Sequence, residues 1–383
     1  MTITPTASTA AARSIDQALD LIEEWIGPHG VAGAGAAVWH RGQIVTERYA
    51  GEARPGVPVD EATLFALASV TKPVTATVLM MLVERGLVSL DESVNRIVPE
   101  FAAGPERDSE NVDRALENLR RTVTLRQLLA HTSGLPEDVG RRDSRYADQP
   151  PLSAVMEQLA RLPLRSAPGT ELRYSNAGYA VVARAVEAVS GQPFWDAARQ
   201  VLLDPFGFDD LVAQPGAGLA DRLAQVTDAS HPGTSLETYN SDYWRDLAIP
   251  WGGMFGTPRA AARFAGAFLS GEPRVLSAAS VRLMTSDHAG GVPGGVESAK
   301  VRWPVAAWGL GWEVKGDKRR HWTGELTSPR TFCHWGHAGT LVWADPEKDL
   351  ALAVFGNRTV AHLWPLVPPR WARLSNAVVA AAS

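Results

Sequence analysis

Apolar positions recur at helical spacing near the start of the chain: Ile15, Leu19, Leu21, Ile22, Trp25 and Ile26 follow Ser14, a capping residue, and Gly27-Pro28 stops the run. An amphipathic helix is expected there. The spacing then shortens. Val31 to Trp39 and Gln43 to Ala50 read as two extended runs joined at His40-Arg41-Gly42, where the glycine suits a positive φ, so a β-hairpin should follow. From Ser69 to about Gly86 the period is helical again. Helical segments punctuated by Gly and Pro dominate to about residue 290, at Leu125 to Ala130, Ala177 to Val189, Ala260 to Leu269 and Ala278 to Met284. Strand-like runs return at Ala307 to Val314, Thr331 to His334, Gly339 to Trp343 and Leu350 to Phe355, before an apolar helix from about Leu366 to Ala381.

Two β-rich ends around a helical middle imply an α+β fold. An antiparallel sheet is built from the first and last segments and flanked by their helices, with a mainly helical lobe inserted. The corresponding boundaries are a flexible N-terminus at 1–13, a sheet lobe from 14–65 with 301–383, and a helical lobe at 66–300. A ligand site belongs at the junction of the lobes. The 383 residues are enough to bury a core without disulfides or metal, and 45% hydrophobic with 21% charged residues is an ordinary globular composition.

Charge and cysteine usage narrow the partners. The formal charge is −5 and the arginines are scattered rather than massed, so neither nucleic acid nor an anionic membrane is an expected partner. The single cysteine, Cys333, excludes a disulfide framework or a CxxC site and fits a reducing compartment. Met1 to Ala12 has no basic segment leading into an apolar one, and no 18 consecutive apolar residues occur, so a cytoplasmic protein is expected. The charged stretch from Glu106 to Arg121 reads as solvated surface.

Three segments carry candidate chemistry. Ser69-Val70-Thr71-Lys72 opens a helix, so hydroxyl and amine stand one turn apart on the same face. A lysine whose pKa is depressed by burial and by the helix N-terminus can take the proton of a serine, and the same terminus offers N–H groups to a developing oxyanion. An SxxK match alone is weak, since a chain this long contains on the order of one by chance. Composition sharpens it: lysine occurs only at positions 72, 300, 315, 318 and 348, arginine serving elsewhere. Lysine can be deprotonated and arginine cannot. The competing reading is a helix cap followed by a snorkelling surface lysine.

Tyr174-Ser175-Asn176 follows the Pro168-Gly169-Thr170 loop and leads into a helix. There a phenol can relay a proton and an amide can hold a carbonyl, although a loop-anchoring tyrosine and a helix-capping asparagine account for the same pattern. Phe332 to Gly339 is an extended segment with small residues suited to walling a cleft, its two histidines, His334 and His337, facing opposite sides of a strand, so no shared metal is assigned. No serine lies within G-x-S-x-G, which disfavours an α/β-hydrolase.

In this order the segments resemble the class C β-lactamase and penicillin-binding-protein superfamily, and within it the family VIII carboxylesterases. Further stretches agree: Leu128 to Leu135 (LLAHTSGL), Gly252-Gly253-Met254-Phe255, Trp308-Gly309-Leu310-Gly311-Trp312 and Asp345-Pro346, so the likeness runs from about Ser14 to Asn376. The resemblance implies that Ser69 is acylated and that Lys72 and Tyr174 share the base and acid work. It also implies that the N–H groups of Ser69 and His337 form the oxyanion hole. Asn176, His334, Trp335 and Gly336 would contact substrate, His131 would be structural, and no cofactor is needed. The departure is His334-Trp335-Gly336, where β-lactamases and peptidases of the superfamily carry Lys-Thr-Gly around a substrate carboxylate. A mostly neutral imidazole and an indole favour neutral esters over anionic β-lactams or D-Ala-D-Ala termini. The partner is therefore a small-molecule ester or amide. Acyl transfer, β-lactamase or D-amino-acid amidase or peptidase action, and a non-catalytic binding role stay open as alternatives. Of thirteen tryptophans, several lie in the last third near the proposed wall (Trp303, Trp308, Trp312, Trp322, Trp335, Trp343); any that face the cleft would favour an apolar or aromatic substrate group.

Overall fold

The computed structural model describes residues 14–106, 112–138, 146–270, 274–361 and 366–383; the expected flexible stretch 1–13 lies outside them. Ser14 begins the fold with a capping box, accepting from the Gln17 N–H while Gln17 returns the bond. The amphipathic run is one turn of α-helix, α1 (Ile15–Leu19), continued as a 3₁₀ helix over Asp20–Trp25 rather than as a single α-helix.

Seven strands form the main sheet: β1 (Gly33–His40), β2 (Gln43–Arg54), β3 (Val57–Pro58), β4 (Glu313–Val314), β5 (Phe332–Gly336), β6 (Thr340–Asp345) and β7 (Leu350–Gly356). Their order is β4-β5-β6-β7-β1-β2-β3 and every pair is antiparallel. The first and last thirds of the chain thus meet where β1 pairs with β7, Ala36 opposite Val354. The β1–β2 turn has positive φ at Arg41 and Gly42, matching the expected hairpin.

The remaining helices that shape the site are α2 (Thr71–Glu84), α3 (Asn176–Ser190), α4 (Pro258–Gly266) and α5 (Val367–Ala382). Strand side chains alternate between two cores. Leu350, Leu352 and Val354 join Ala34, Ala36, Val38 and Trp343 against the terminal helices α1 and α5. Ala351, Ala353 and Phe355 join Ala37, Trp39 and Val342 against α2, α3 and α4. Covered on both faces, the antiparallel sheet reads as continuous apolar runs rather than as clean alternation. Helix α4 comes so close that a Cβ on Gly266 would stand 2.6 Å from the Trp39 ring. Helix α2 is buried from Thr71 through Leu82, a central helix apolar on every side.

Two expectations need correction. Ala307 to Val314 is a strand only at Glu313–Val314; the Trp308 to Trp312 stretch is irregular and buries both indoles. The charged segment before Arg121 is not wholly solvated, since Arg120 is buried, bonded to Glu117 and to the carbonyls of Ala160 and Leu162; 107–111 lie outside the described residues.

Candidate active site

Ser69 sits in a short 3₁₀ turn, Ala68–Val70, immediately before α2, partly exposed at the floor of a cleft of about 1180 Å³. Ala68, one residue before it, has φ 47, a left-handed conformation that costs an alanine energy and persists only where surroundings enforce it. Here both polar backbone groups of the preceding Leu67 are held. Leu67 N–H donates to the Met254 carbonyl at 2.9 Å, and the Thr340 hydroxyl donates to the Leu67 carbonyl at 2.9 Å.

Lys72 Nζ lies 3.1 Å from Ser69 Oγ and 2.8 Å from the Trp251 carbonyl oxygen. The carbonyl is aimed by a tight turn in which the Gly252 and Gly253 N–H groups both donate to Ile249. Lys72 is fully buried, and burial pushes its ammonium down to about 7, the more distant carboxylates of Glu137 and Asp138 only partly opposing this. The snorkelling alternative does not describe this side chain. The scarcity of lysine had a second cause, however: Lys315 and Lys318 are also buried, each with three hydrogen bonds.

Tyr174 stands between a two-residue strand, Leu172–Arg173, and α3. Its ring centroid is 4.9 Å from Lys72 Nζ, and burial raises the phenol well above its usual range, the nearby Ser69 hydroxyl only partly opposing this. The helix is capped by Ser175, which accepts from Gly178 N–H at 2.8 Å; Asn176 opens the first turn instead of capping it, donates its N–H to the Glu137 carbonyl at 2.7 Å, and lines the cleft.

Strand β5 forms the opposite wall. A Cβ on Gly336 would come within 2.3 Å of the Leu67 carbonyl oxygen and of Thr340 Oγ1, so only glycine lets the strand lie against the turn that carries Ser69. His337 follows directly, its backbone fixed by the Val360 N–H at 2.9 Å and its ring, exposed, 3.5 Å from the Tyr239 hydroxyl. His334 and Trp335 line the cleft from this strand, Trp335 packing on Trp322. Of the eight residues selected from the sequence, Ser69, Tyr174, Asn176, His334, Trp335 and His337 line one cleft, while Lys72 touches Ser69 and Gly336 lies against Leu67.

Other neighbours complete the site: His131, read from the sequence only as a structural loop residue, and Glu137, which escaped it. His131, buried at φ 58, accepts from the Ser175 N–H through Nδ1 at 3.0 Å and packs its ring 4.5 Å from that of Tyr174. Burial, with the adjacent Lys72 and His334, holds it well below the usual histidine range, so it is neutral. It is structural, as expected, but the structure it holds is the tyrosine. Glu137 accepts from Ser298 N–H and Oγ at 2.9 and 2.5 Å across the cleft mouth, and burial raises its carboxyl. Among the described residues, the cleft's indoles are Trp244, Trp251 and Trp335, two of them outside the tryptophan-rich last third.

Behind the wall, Glu313, His321 and Cys333 bring an oxygen, a nitrogen and a sulfur within 4.8 Å. The Lys318 ammonium already occupies the Glu313 carboxylate at 2.8 Å, and burial pushes the Cys333 thiol well up. That cluster is a self-paired buried ion network.

A serine held against a buried amine and a phenol, at the N-terminus of a central helix beside an antiparallel wall strand, is an arrangement chemically suited to acyl transfer through a serine nucleophile. The Beta-lactamase family matches residues 14–369, and this chain belongs to it. Penicillin-binding protein 4 of Amycolatopsis lactamdurans is 33% identical over 298 residues, 75% of this chain and 72% of that protein. Esterase EstB of Burkholderia gladioli is 34% identical over 220 residues, 54% of this chain and about half (53%) of EstB. The crystal structure of a family VIII carboxylesterase aligns with TM-score 0.76 over 94% of this chain and 95% of the other at 23% identity, a likeness of fold.

Proposed function

We propose that this chain is a serine hydrolase that cleaves carboxylic esters through an acyl-enzyme on Ser69. The observation that carries the reading is the buried Lys72 amine 3.1 Å from Ser69 Oγ, poised near neutrality. In its neutral form Nζ donates to the Trp251 carbonyl and turns its lone pair to the serine hydroxyl. It takes that proton as Oγ attacks the ester carbonyl, and the developing oxyanion is received by the N–H groups of Ser69 and His337. Tyr174, whose raised pKa keeps it a phenol, gives its proton to the leaving alcohol and regains one from the Lys72 ammonium. Water, deprotonated by the same pair, then releases the acid.

Asn176, His334, Trp335 and Gly336 are the substrate contacts of this reading. The wall supports an ester over a carboxylate-bearing substrate. Burial lowers His334 to about 3, so it is uncharged where relatives with Lys-Thr-Gly present a cation. Trp244, Trp251 and Trp335 favour apolar or aromatic groups. A cytoplasmic location belongs to the same proposal and rests on the single free cysteine; no helix among the described residues is long and apolar enough to cross a membrane.

The test is a panel of p-nitrophenyl esters, a chromogenic cephalosporin and a D-alanyl-D-alanine peptide on wild type and Ser69→Ala. Ester turnover lost in the variant, with far slower attack on the other two, is expected. Preference for the cephalosporin or the peptide would contradict it.

A further inference from the structure

Side chains alternate along β5, so His334 shares a face with Gly336, the residue that lies against Leu67 and Ala68 beside the nucleophile. His334 is 2% exposed, lines the cleft, and meets Trp308 edge-on at 5.8 Å. Its tautomer follows from its one hydrogen bond. Nδ1 lies 2.9 Å from the Trp335 carbonyl oxygen, which can only accept, so Nδ1 carries the proton. Burial, reinforced by the nearby Lys72, keeps the ring neutral, and Nε2 is therefore a bare lone pair. That atom is buried and meets no donor among the described residues. A buried acceptor left unpaired carries its full desolvation cost, which a donor brought by a ligand relieves.

We propose that His334 Nε2 is a specificity-determining acceptor and that the preferred esters carry an O–H or N–H donor that fills it. The inference rests on the hydrolase reading and adds the substrate class to it. A lysine at this place would present three donors and a charge to a carboxylate; a bare imidazole nitrogen reverses the selection, repelling carboxylate oxygens and accepting from a hydroxyl or an amide N–H. A site that hydrogen-bonds a substrate group discriminates against the analogue lacking it far more strongly than an apolar pocket discriminates by shape.

Matched esters test this on the intact protein. On the acyl side, p-nitrophenyl 3-hydroxybutyrate is compared with 3-methoxybutyrate, and N-acetylglycinate with N-acetylsarcosinate; on the alcohol side, 2-hydroxyethyl with 2-methoxyethyl butyrate. In at least one pair kcat/KM favours the donor by about tenfold or more, and His334→Leu brings that ratio to about one. Ratios within about twofold for every pair, in an enzyme that turns esters over, overturn the proposal and leave ester hydrolysis standing. So does a donor preference that His334→Leu leaves intact. No turnover of any ester contradicts the hydrolase reading and this proposal together.

Discussion

Lys72 should cost the protein stability that its chemistry requires, and Lys72→Met should reveal it. Burial moves the ammonium from 10.5 to about 7. At about 1.4 kcal/mol per unit, that shift amounts to roughly 5 kcal/mol of folding free energy. The sign follows from proton binding. The unfolded chain keeps this proton up to about 10.5 while the native state releases it above about 7, so stability rises with pH across that window and the full cost is felt below it. Methionine keeps an unbranched side chain and removes the charge. It also strips the Trp251 carbonyl of the Nζ donor at 2.8 Å, a loss of about 1–3 kcal/mol. Urea unfolding followed by tryptophan fluorescence should therefore find the inactive variant more stable than wild type by about 2–4 kcal/mol at pH 6, the gain vanishing or reversing near pH 10. A variant equally destabilised at both pH values would refute the buried, depressed amine and with it the assignment of Lys72 as base.

The same amine sets the pH dependence of catalysis: kcat/KM for an ester should rise with pH through an apparent pKa near 7, and Lys72→Arg, which cannot lose its proton, should be inactive throughout. Tyr174→Phe keeps the ring against His131 and removes the hydroxyl, so kcat should fall about 10²–10⁴-fold with little change in melting temperature. Gly336→Ala places a Cβ 2.3 Å from the Leu67 carbonyl oxygen. Pushing the wall from the nucleophile turn should cost on the order of 10²-fold in kcat/KM, read in the same ester assay. Glu313→Gln strands the buried Lys318 ammonium; a loss of about 3–5 kcal/mol in urea unfolding is expected.

Much of this architecture was legible because local signals agreed with the tertiary outcome. Ser14 caps the first helix as its position suggested, Gly42 makes the hairpin turn, and the Ser69, Tyr174 and His334 segments come together around one cleft. The fold and the family followed from the order of those segments. What escaped depends on contacts distant in sequence. Trp308 and Trp312 look like strand residues, yet their indoles are drawn into cores formed with His131 and Phe332, which breaks the pleat. His131 reads as a loop residue because nothing local shows that its Nδ1 reaches Ser175. Lysine rarity pointed to Lys72, but it equally reflects Lys315 and Lys318, whose buried carbonyl and carboxylate partners come together only on folding.

The central claim is a covalent intermediate on Ser69, and intact-mass analysis of the reaction quenched during turnover of a p-nitrophenyl ester tests it most directly. A gain equal to the acyl group is expected, mapped to the peptide containing Ser69 and absent, with turnover, from Ser69→Ala. Turnover that persists in Ser69→Ala, or an acyl group mapped to another residue, would contradict it.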